Sequence, residues 1–344
     1  MRSITLLMIS LAFVAGCSRA QNLASTGEIH IKNLRQLTFG GENAEAYFSG
    51  DNRKLILQST RDRHDCDQIY VLEISSAKTI MISNGLGRTT CSFFNPVSSD
   101  IIYSSTYLAD TLCPAPPSMA QGYVWALYPG YDIFTAQADG SRLTRLTFEP
   151  GYDAEGVISP DGRKIAFTST RDGDLEIYVM NIDGTGVARV TNHPGYDGGA
   201  FFSPDGKTLV FRAQVFATEE ELKNYQELLA QNLVRPSSLE IFTINVDGTG
   251  RTQLTSNKAA NFAPFFHPSG KKIVFSSNLG DPKGREFDIY MIDINGGNLE
   301  RITFSPEFDG FPMFSYDGKH LVFASNRNHK VPHETNIFIA DWVE

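Results

Sequence analysis

Short apolar runs separated by turn residues recur along most of the chain. One clear example is the apolar run at 165–167, which follows Ser-Pro-Asp-Gly at 159–162 and precedes Ile-Tyr-Val-Met at 177–180. Runs of this length are typical of strands rather than helices, and Pro and Asp-Gly favour tight turns between them. The pattern therefore predicts many short antiparallel strands.

The same unit is repeated six times. A marker of one aliphatic residue followed by Thr or Ser ends each unit: Leu37-Thr38, Ile82-Ser83, Leu146-Thr147, Val190-Thr191, Leu254-Thr255 and Ile302-Thr303. Two of the intervals between markers exceed the other three by about twenty residues, as expected of repeats with insertions. Four strand-type runs per unit predict an all-β, six-bladed β-propeller of four-stranded antiparallel blades over residues 28–344.

The ends of the repeat array predict how the ring closes. The last unit stops after its third strand, and an unassigned strand and marker precede the first unit. We expect Glu28 to Thr38 to supply the outer strand of blade six. The two insertions, at about 109–130 and 213–238, fall on one face, and the second predicts a helix with Thr218 as its N-cap. Because loops on a rigid scaffold carry most binding residues, we expect the functional surface on this face.

The repeat motifs resemble those of a known family. Ser-Pro-Asp-Gly at 159–162, Ile-Tyr-Val-Met-Asn at 177–181 and Arg-Leu-Thr at 145–147 are similar to the repeats of TolB-type, WD-repeat-like propellers. Similar repeats occur in propeller domains of prolyl oligopeptidase relatives and in oligogalacturonate lyases. The resemblance covers residues 28–344 and implies the fold, whereas propellers host unrelated activities.

The first seventeen residues predict export. Arg2 precedes an apolar run from Ile4 to Ala15, which is too short for a mature membrane span and is typical of a signal peptide. Its end, Val14-Ala15-Gly16-Cys17, resembles the lipobox of bacterial lipoproteins, an ordinary signal peptide being the alternative. The resemblance implies a lipid on Cys17, and Ser18 implies the outer membrane. We therefore expect a protein of the periplasm or cell surface that contacts the membrane through its lipid alone, with residues 18–27 as a linker.

The net charge excludes one class of function, and the cysteines indicate a possible disulfide. The formal net charge of −9 argues against nucleic-acid binding, which uses clustered basic residues. An exported protein can form a disulfide, and Cys66, Cys91 and Cys113 are the candidates. Three pairings are open, and Cys66–Cys91 is favoured.

One repeat position carries oxygen-bearing side chains that we expect to ring the channel mouth. In blade order these are Asn43, Thr89, Asp153, Asp197, Asn261 and Asp309. Glu45 and Glu155 stand two positions further on in their blades. The three Asp with the two Glu could hold Ca²⁺, which prefers several oxygen ligands, or each Asp or Asn could cap the turn between blades.

Arginines and histidines of the same face are further candidates. Arg61, Arg171 and Arg327 end the second strands of their blades, where they could bind an anionic ligand or pair with the acidic ring. His64, His329 and His333 lie in loops of neighbouring blades and could hold a transition metal. No nucleophile elbow, zincin, Walker or dinucleotide motif occurs, so no catalytic residue is assigned.

These observations favour a non-catalytic binding scaffold of the cell envelope. The expected partner is an envelope protein or glycan that contacts the insertion-bearing face, and the protein is expected to be a monomer. The alternative is a metal-assisted lyase or hydrolase acting on an acidic polysaccharide.

Overall fold

The computed structural model describes residues 23–344, and the predicted signal peptide and Cys17 lie outside the described residues. In chain order the strands are β1 (Ile31–Gln36), β2 (Glu42–Phe48), β3 (Lys54–Thr60), β4 (Gln68–Glu73), β5 (Lys78–Met81), β6 (Thr89–Phe94), β7 (Asp100–Ser105), β8 (Trp125–Ala126), β9 (Asp132–Gln137), β10 (Thr144–Arg145), β11 (Asp153–Ile158), β12 (Lys164–Ser169), β13 (Glu176–Asn181), β14 (Ala188–Arg189), β15 (Asp197–Phe202), β16 (Thr208–Gln214), β17 (Leu233–Val234), β18 (Leu239–Asn245), β19 (Thr252–Gln253), β20 (Asn261–Phe266), β21 (Lys272–Ser277), β22 (Asp288–Asp293), β23 (Glu300–Arg301), β24 (Asp309–Phe314), β25 (His320–Ser325) and β26 (Asn336–Trp342). The described part also holds an α-helix, α1 (Glu219–Leu229), and a short 3-10 helix at Met119–Gln121.

Six four-stranded antiparallel sheets form the blades, which confirms the predicted propeller. Blade one is β2 to β5, blade two is β6, β7, β9 and β10, and blade three is β11 to β14. Blade four is β15, β16, β18 and β19, blade five is β20 to β23, and blade six is β24, β25, β26 and β1. The first strand of blades one to five, and β24 of blade six, lies innermost.

The N-terminal strand closes the ring, as predicted. β1 pairs antiparallel with β26, with Ile31 opposite Trp342 and Gln36 opposite Phe338. The closure is reinforced by a buried cluster in which Arg327 donates to the carboxylates of Glu28 and Asp309, the former through Nη1 at 2.9 Å. The segment before β1 is thereby joined to the inner strand of blade six.

The repeated marker has a structural cause. Its hydroxyl accepts the amide N–H near the start of the third strand of its own blade, as Thr147 does from Ile133 and Thr38 from Ile337. The hydroxyl also donates to a polar side chain near the start of that strand, as Thr255 does to Glu240 at 2.6 Å. The preceding aliphatic residue is buried in the core. One short motif thus fixes the outer strand of every blade.

Each inner strand carries a β-bulge that turns one residue towards the ring axis. Register shifts occur at equivalent places in all six inner strands. The bulge residue has a positive φ in every blade: Glu45, Cys91, Glu155, Gly199, Ala263 and Phe311. Below this level Tyr47, Phe93, Phe201 and Phe265 form edge-to-face or tilted ring contacts. The bulges therefore set which side chains reach the axis above an aromatic core.

The two insertions pair with each other. β8 of the blade-two insertion and β17 of the blade-four insertion form a two-stranded antiparallel sheet. We call residues 106–131 and 215–238, which lie between the second and third strands of these blades, the paired insertions. Among the described residues, no helix is long and apolar enough to cross a membrane.

Candidate functional site

A cavity of about 980 Å³ opens on the insertion-bearing face at the ring axis. We call it the axial cavity. All six blades contribute to its lining, for example through Gln58, Thr90, Tyr152, Tyr196, Phe262 and Phe308. The paired insertions supply the rest of the wall through Tyr123, Trp125, Tyr128 and Val234. A volume of this size is typical of ligand sites and is large enough for a peptide segment or an oligosaccharide.

An ion pair occupies the floor of the cavity. Arg212 of β16 is only 8% exposed and contacts the Glu155 carboxylate and the Tyr196 hydroxyl. Glu155 also accepts hydrogen bonds from the Thr168 hydroxyl at 2.7 Å and the Gly199 amide at 2.9 Å. The Arg212 guanidinium lies against the rings of Trp125 and Tyr196, at 5.3 and 5.1 Å from their centroids. Burial and these contacts hold the guanidinium rigidly.

Glu45 is the second acidic group of the floor. Its side chain is half-buried at the bulge of blade one and faces both the axial cavity and a small chamber beneath it. Burial, with the negative charge of Glu155 as the next cause, raises the pKa of Glu45 to about 7. The Cys91 thiol beside it has its pKa raised by burial and by the Glu45 and Glu155 carboxylates. Glu45 can therefore exchange a proton near neutral pH.

The paired insertions are fixed to the propeller at several points. The Leu127 amide donates to the Asn232 carbonyl at 2.8 Å, and the Tyr225 hydroxyl of α1 donates to Asp174 of blade three at 2.5 Å. Leu127, Tyr225 and Val234 belong to a small apolar cluster of their own. The insertions thus form a rigid wall that reaches from blade two past blade three to blade four.

A disulfide attaches the wall to blade one. Cys66 is bonded to Cys113, and Cys91 is free, so the favoured Cys66–Cys91 pairing was wrong. The reason is the bulge of β6, which turns Cys91 towards the ring axis, whereas Cys66 faces the blade-two insertion outside the ring of inner strands. The loop that carries Cys113 is therefore held against the loop before β4.

The six oxygen-bearing residues that were predicted to ring the channel mouth do not line it. All six residues are at most 2% exposed at the starts of the inner strands, and none lines the axial cavity: Asn43, Thr89, Asp153, Asp197, Asn261 and Asp309. Asp153 accepts from Arg171 at 3.0 Å, Asp197 pairs with Arg251 at 2.9 Å, and Asp309 is bound by Arg327. In blade one Arg61 donates to Asn43 at 2.7 Å, and in blade five Asn261 donates to the Leu239 carbonyl at 2.7 Å. The predicted arginines therefore tie the ring residues to their own blades.

The structure does not bring the predicted metal ligands together. His329 contacts Glu307 and the Asn326 carbonyl, while His64 and His333 lie in separate loops. Within residues 23–344, no three or more His, Cys, Asp or Glu side chains are grouped as a metal site. Arginines already bind the Asp153, Asp197 and Asp309 carboxylates and offset their negative charge, which Ca²⁺ would otherwise neutralise.

Sequence reasoning missed the central arginine. Arg212 stands at a repeat position that holds Gln58, Ser104, Thr168, Ser276 and Ala324 in the other blades. The sequence did contain a signal for Arg212, because it is the one charged residue at a repeat position that is uncharged in the other five blades. The aromatic partners Trp125 and Tyr196 could be noted from the sequence, but their approach to Arg212 depends on the fold of the insertion.

Loops of the insertion-bearing face expose many large apolar side chains. These are Phe39, Leu86, Leu108, Leu112, Tyr123, Phe148, Val215, Leu279, Phe304 and Val331. The turns of the opposite face expose fewer, among them Val97 and Ile294. Concentrated exposed apolar groups on one face mark an interaction surface.

Comparison with known proteins supports the same class. The model of the Tricorn protease N-terminal beta propeller domain matches residues 117–230, and that of the TolB beta propeller domain matches residues 224–341. A segment of 39 residues is 51% identical to the Tol-Pal system protein TolB of Bordetella pertussis, but it spans 11% of this chain and 9% of that protein. The matched segment is thus a small part of either protein.

Solved structures match over most of the chain. A putative TolB from Agrobacterium tumefaciens has a TM-score of 0.55 at 19% identity. The match covers 88% of this chain and 91% of the Agrobacterium chain. An oligogalacturonate lyase in complex with manganese has a TM-score of 0.51 at 16% identity, with 90% and 93% covered. At these identities the likeness shows the fold. The protein is a six-bladed β-propeller, and its residues 224–341 match the TolB beta propeller domain.

Proposed function

We propose that this protein is a non-catalytic binding scaffold of the bacterial cell envelope that engages a protein or glycan partner through its insertion-bearing face. The observation that carries the proposal is that one face has both the open axial cavity and loops that expose many large apolar side chains. Aromatic anchors beside a rigid pocket are typical of binding hot spots. The lipobox-like sequence ending at Cys17 supports a lipid-anchored location in the periplasm or at the cell surface, at the outer membrane.

Affinity capture from solubilised envelope, with mass spectrometry and glycan analysis of the bound material, tests this proposal. Phe148→Asp places a charge on the insertion-bearing face, and Val97→Asp is the matched control on the opposite face. The two side chains are 68% and 66% exposed. We expect Phe148→Asp to lose the wild-type partner and Val97→Asp to retain it. Equal capture by both variants would contradict the proposal.

The alternative of a lyase or hydrolase acting on an acidic polysaccharide is favoured by one feature of the cavity. Arg88, Lys258 and Arg285 line its wall and could pair with uronate carboxylates. Incubation with oligogalacturonate and Mn²⁺ distinguishes the two functions. Appearance of an unsaturated product or of shortened chains would favour the enzyme, whereas unchanged substrate would favour the scaffold.

A further inference from the structure

The floor of the axial cavity holds a carboxylate without a cationic partner. Among the described cavity residues, Glu155 is paired with Arg212 and Asp67 with Arg88 at 3.4 Å. Glu45 makes no ion pair in the described structure. When Glu45 is ionised, the charged groups of the floor therefore sum to a net negative charge.

The groups that face Glu45 do not compensate this charge. They are the Glu155 and Asp67 carboxylates, the Arg212 guanidinium, the Cys91 thiol and the Tyr47 hydroxyl. Because Arg212 is already bound by Glu155, burial and Glu155 dominate and raise the pKa of Glu45. A ligand cation would supply the missing positive charge. The unpartnered Nε of Arg212 does not by itself indicate an anion site, since Arg145 of β10 and Arg251, which directly precedes β19, have the same feature outside the cavity.

The cavity wall above Glu45 is suited to a cation. It is lined by the aromatic rings of Tyr131, Tyr152, Phe262, Phe308 and Phe311. Ring faces attract ammonium and guanidinium groups, most strongly where water is excluded. Lys258 and Arg285 also line the cavity, but both are exposed side chains of blade five and not part of the floor.

We propose that the axial cavity binds a lysine or arginine side chain of the partner polypeptide, with its charged end against the Glu45 carboxylate. This inference rests on the proposed binding function and selects a protein over a glycan. The aliphatic part of such a side chain would pack on the aromatic wall. Exposed Lys258 and Arg285 would then face acidic residues that flank the inserted side chain.

Calorimetric titration with short capped peptides tests the inference. The probes are acetyl-Gly-Lys-Gly-amide and its Arg, norleucine and Glu counterparts at pH 8. We expect the Lys and Arg peptides to bind at least about tenfold more tightly than the norleucine peptide, and the Glu peptide to bind weakest. Glu45→Gln should remove this preference, and Glu45→Asp should retain it. Glu73→Gln, which removes the same charge from blade one outside the cavity, is the matched control.

The pH dependence gives a second readout. Since the free Glu45 carboxylate has a pKa of about 7, a cation must displace its proton at lower pH. The Lys peptide should therefore bind about tenfold more weakly at pH 6 than at pH 8. Glu45→Gln should lose this dependence, while a change that merely loosened the cavity would keep it.

Several results would overturn the inference. These are equal binding of the Lys and norleucine peptides, preference for the Glu peptide, or no binding of any peptide at millimolar concentration. If Phe148→Asp abolishes partner capture while Glu45→Gln captures normally, the inference fails and the proposed function stands. If Phe148→Asp captures normally, the proposed function itself fails.

Discussion

Residues that differ between blades at the same repeat position determine which charged groups lie at the axis of this propeller. At the inner bulge, Ala263 and Gly199 keep the axis open in blades five and four, whereas Glu45 and Glu155 bring charge to it. The bulge requires a positive φ, which is unfavourable for residues with a Cβ, and Gly199 meets the demand without strain. The Arg212 guanidinium contacts the space beside Gly199 that a Cβ would occupy. A small residue in one copy thus makes room for a charged residue beside it.

Replacing Glu45 with Gln should stabilise the fold at high pH. The pKa of Glu45 is raised from 4.5 to about 7, so the folded state binds more protons than the unfolded state between these values. Stability of the wild type should therefore fall as pH rises from about 4.5 to 7 and then level off. Urea unfolding should show Glu45→Gln to be more stable by up to about 3 kcal/mol at pH 8.

The same pair of proteins provides the control for this prediction. At pH 4 the wild-type carboxyl is mostly protonated in both states, so the two proteins should unfold nearly alike. Cys91→Ser changes a neighbour of Glu45 and leaves the charged groups of the floor in place, so it should keep the wild-type pH profile. A constant difference between Glu45→Gln and wild type across the pH range would show that packing, rather than charge, causes the change.

At this scale the sequence could predict which residue types repeat but not where they face. Asp153 and Asp309 were expected at the channel mouth because they share a repeat position. They are instead buried within their blades, because a short acidic side chain at the start of an inner strand is bound by the arginine that follows the second strand. The bulge two residues later, which aims Glu45 and Glu155 at the axis, depends on a backbone conformation that no single residue type signals.

At the scale of elements, the insertions are the part of the chain that departs from the propeller. The helix start at Thr218 could be predicted because an N-cap is a local signal, and its hydroxyl accepts the Glu221 amide at 3.2 Å. The pairing of β8 with β17 joins segments more than a hundred residues apart along the chain and leaves no local pattern. The disulfide partner of Cys66 depends on that same non-local arrangement.

Removing the disulfide should loosen the blade-two insertion while leaving the blades intact. Cys66–Cys113 closes a loop with a sequence separation of 47, and such crosslinks typically contribute about 2–4 kcal/mol. In Cys113→Ser, amide hydrogen exchange should accelerate in residues 106–131, and the melting temperature should fall. The inner strands should keep their protection because their ladder hydrogen bonds join them to the second strand of the same blade.

A matched cysteine variant makes this test specific. Cys91 is free, so Cys91→Ser should leave exchange in residues 106–131 unchanged. Reduction of the wild type should reproduce the exchange pattern of Cys113→Ser. Faster exchange throughout all six blades would instead mean that the disulfide supports the whole ring.

At the scale of the whole molecule, stability depends on closing the ring. Five blades take all their strands from consecutive sequence, and blade six takes its outer strand from the N-terminus. This could be predicted because the last repeat lacks a fourth strand. The buried cluster of Glu28, Asp309 and Arg327 could not, since Glu28 lies outside the repeat and its partner is about three hundred residues away.

Deleting residues 18–38 should open the ring and promote aggregation. The deletion removes β1, so β26 becomes an edge strand with unpaired backbone groups, which is a template for association with other chains. It also removes the Glu28 carboxylate, leaving Arg327 with Asp309 as its remaining carboxylate partner. We expect a lower melting temperature and concentration-dependent aggregation, measured by calorimetry and light scattering. Ile29→Ser, which changes an exposed side chain of the same segment, should behave like the wild type. Wild-type melting and solubility of the deletion variant would mean that the other twenty-three propeller strands hold the ring closed without β1.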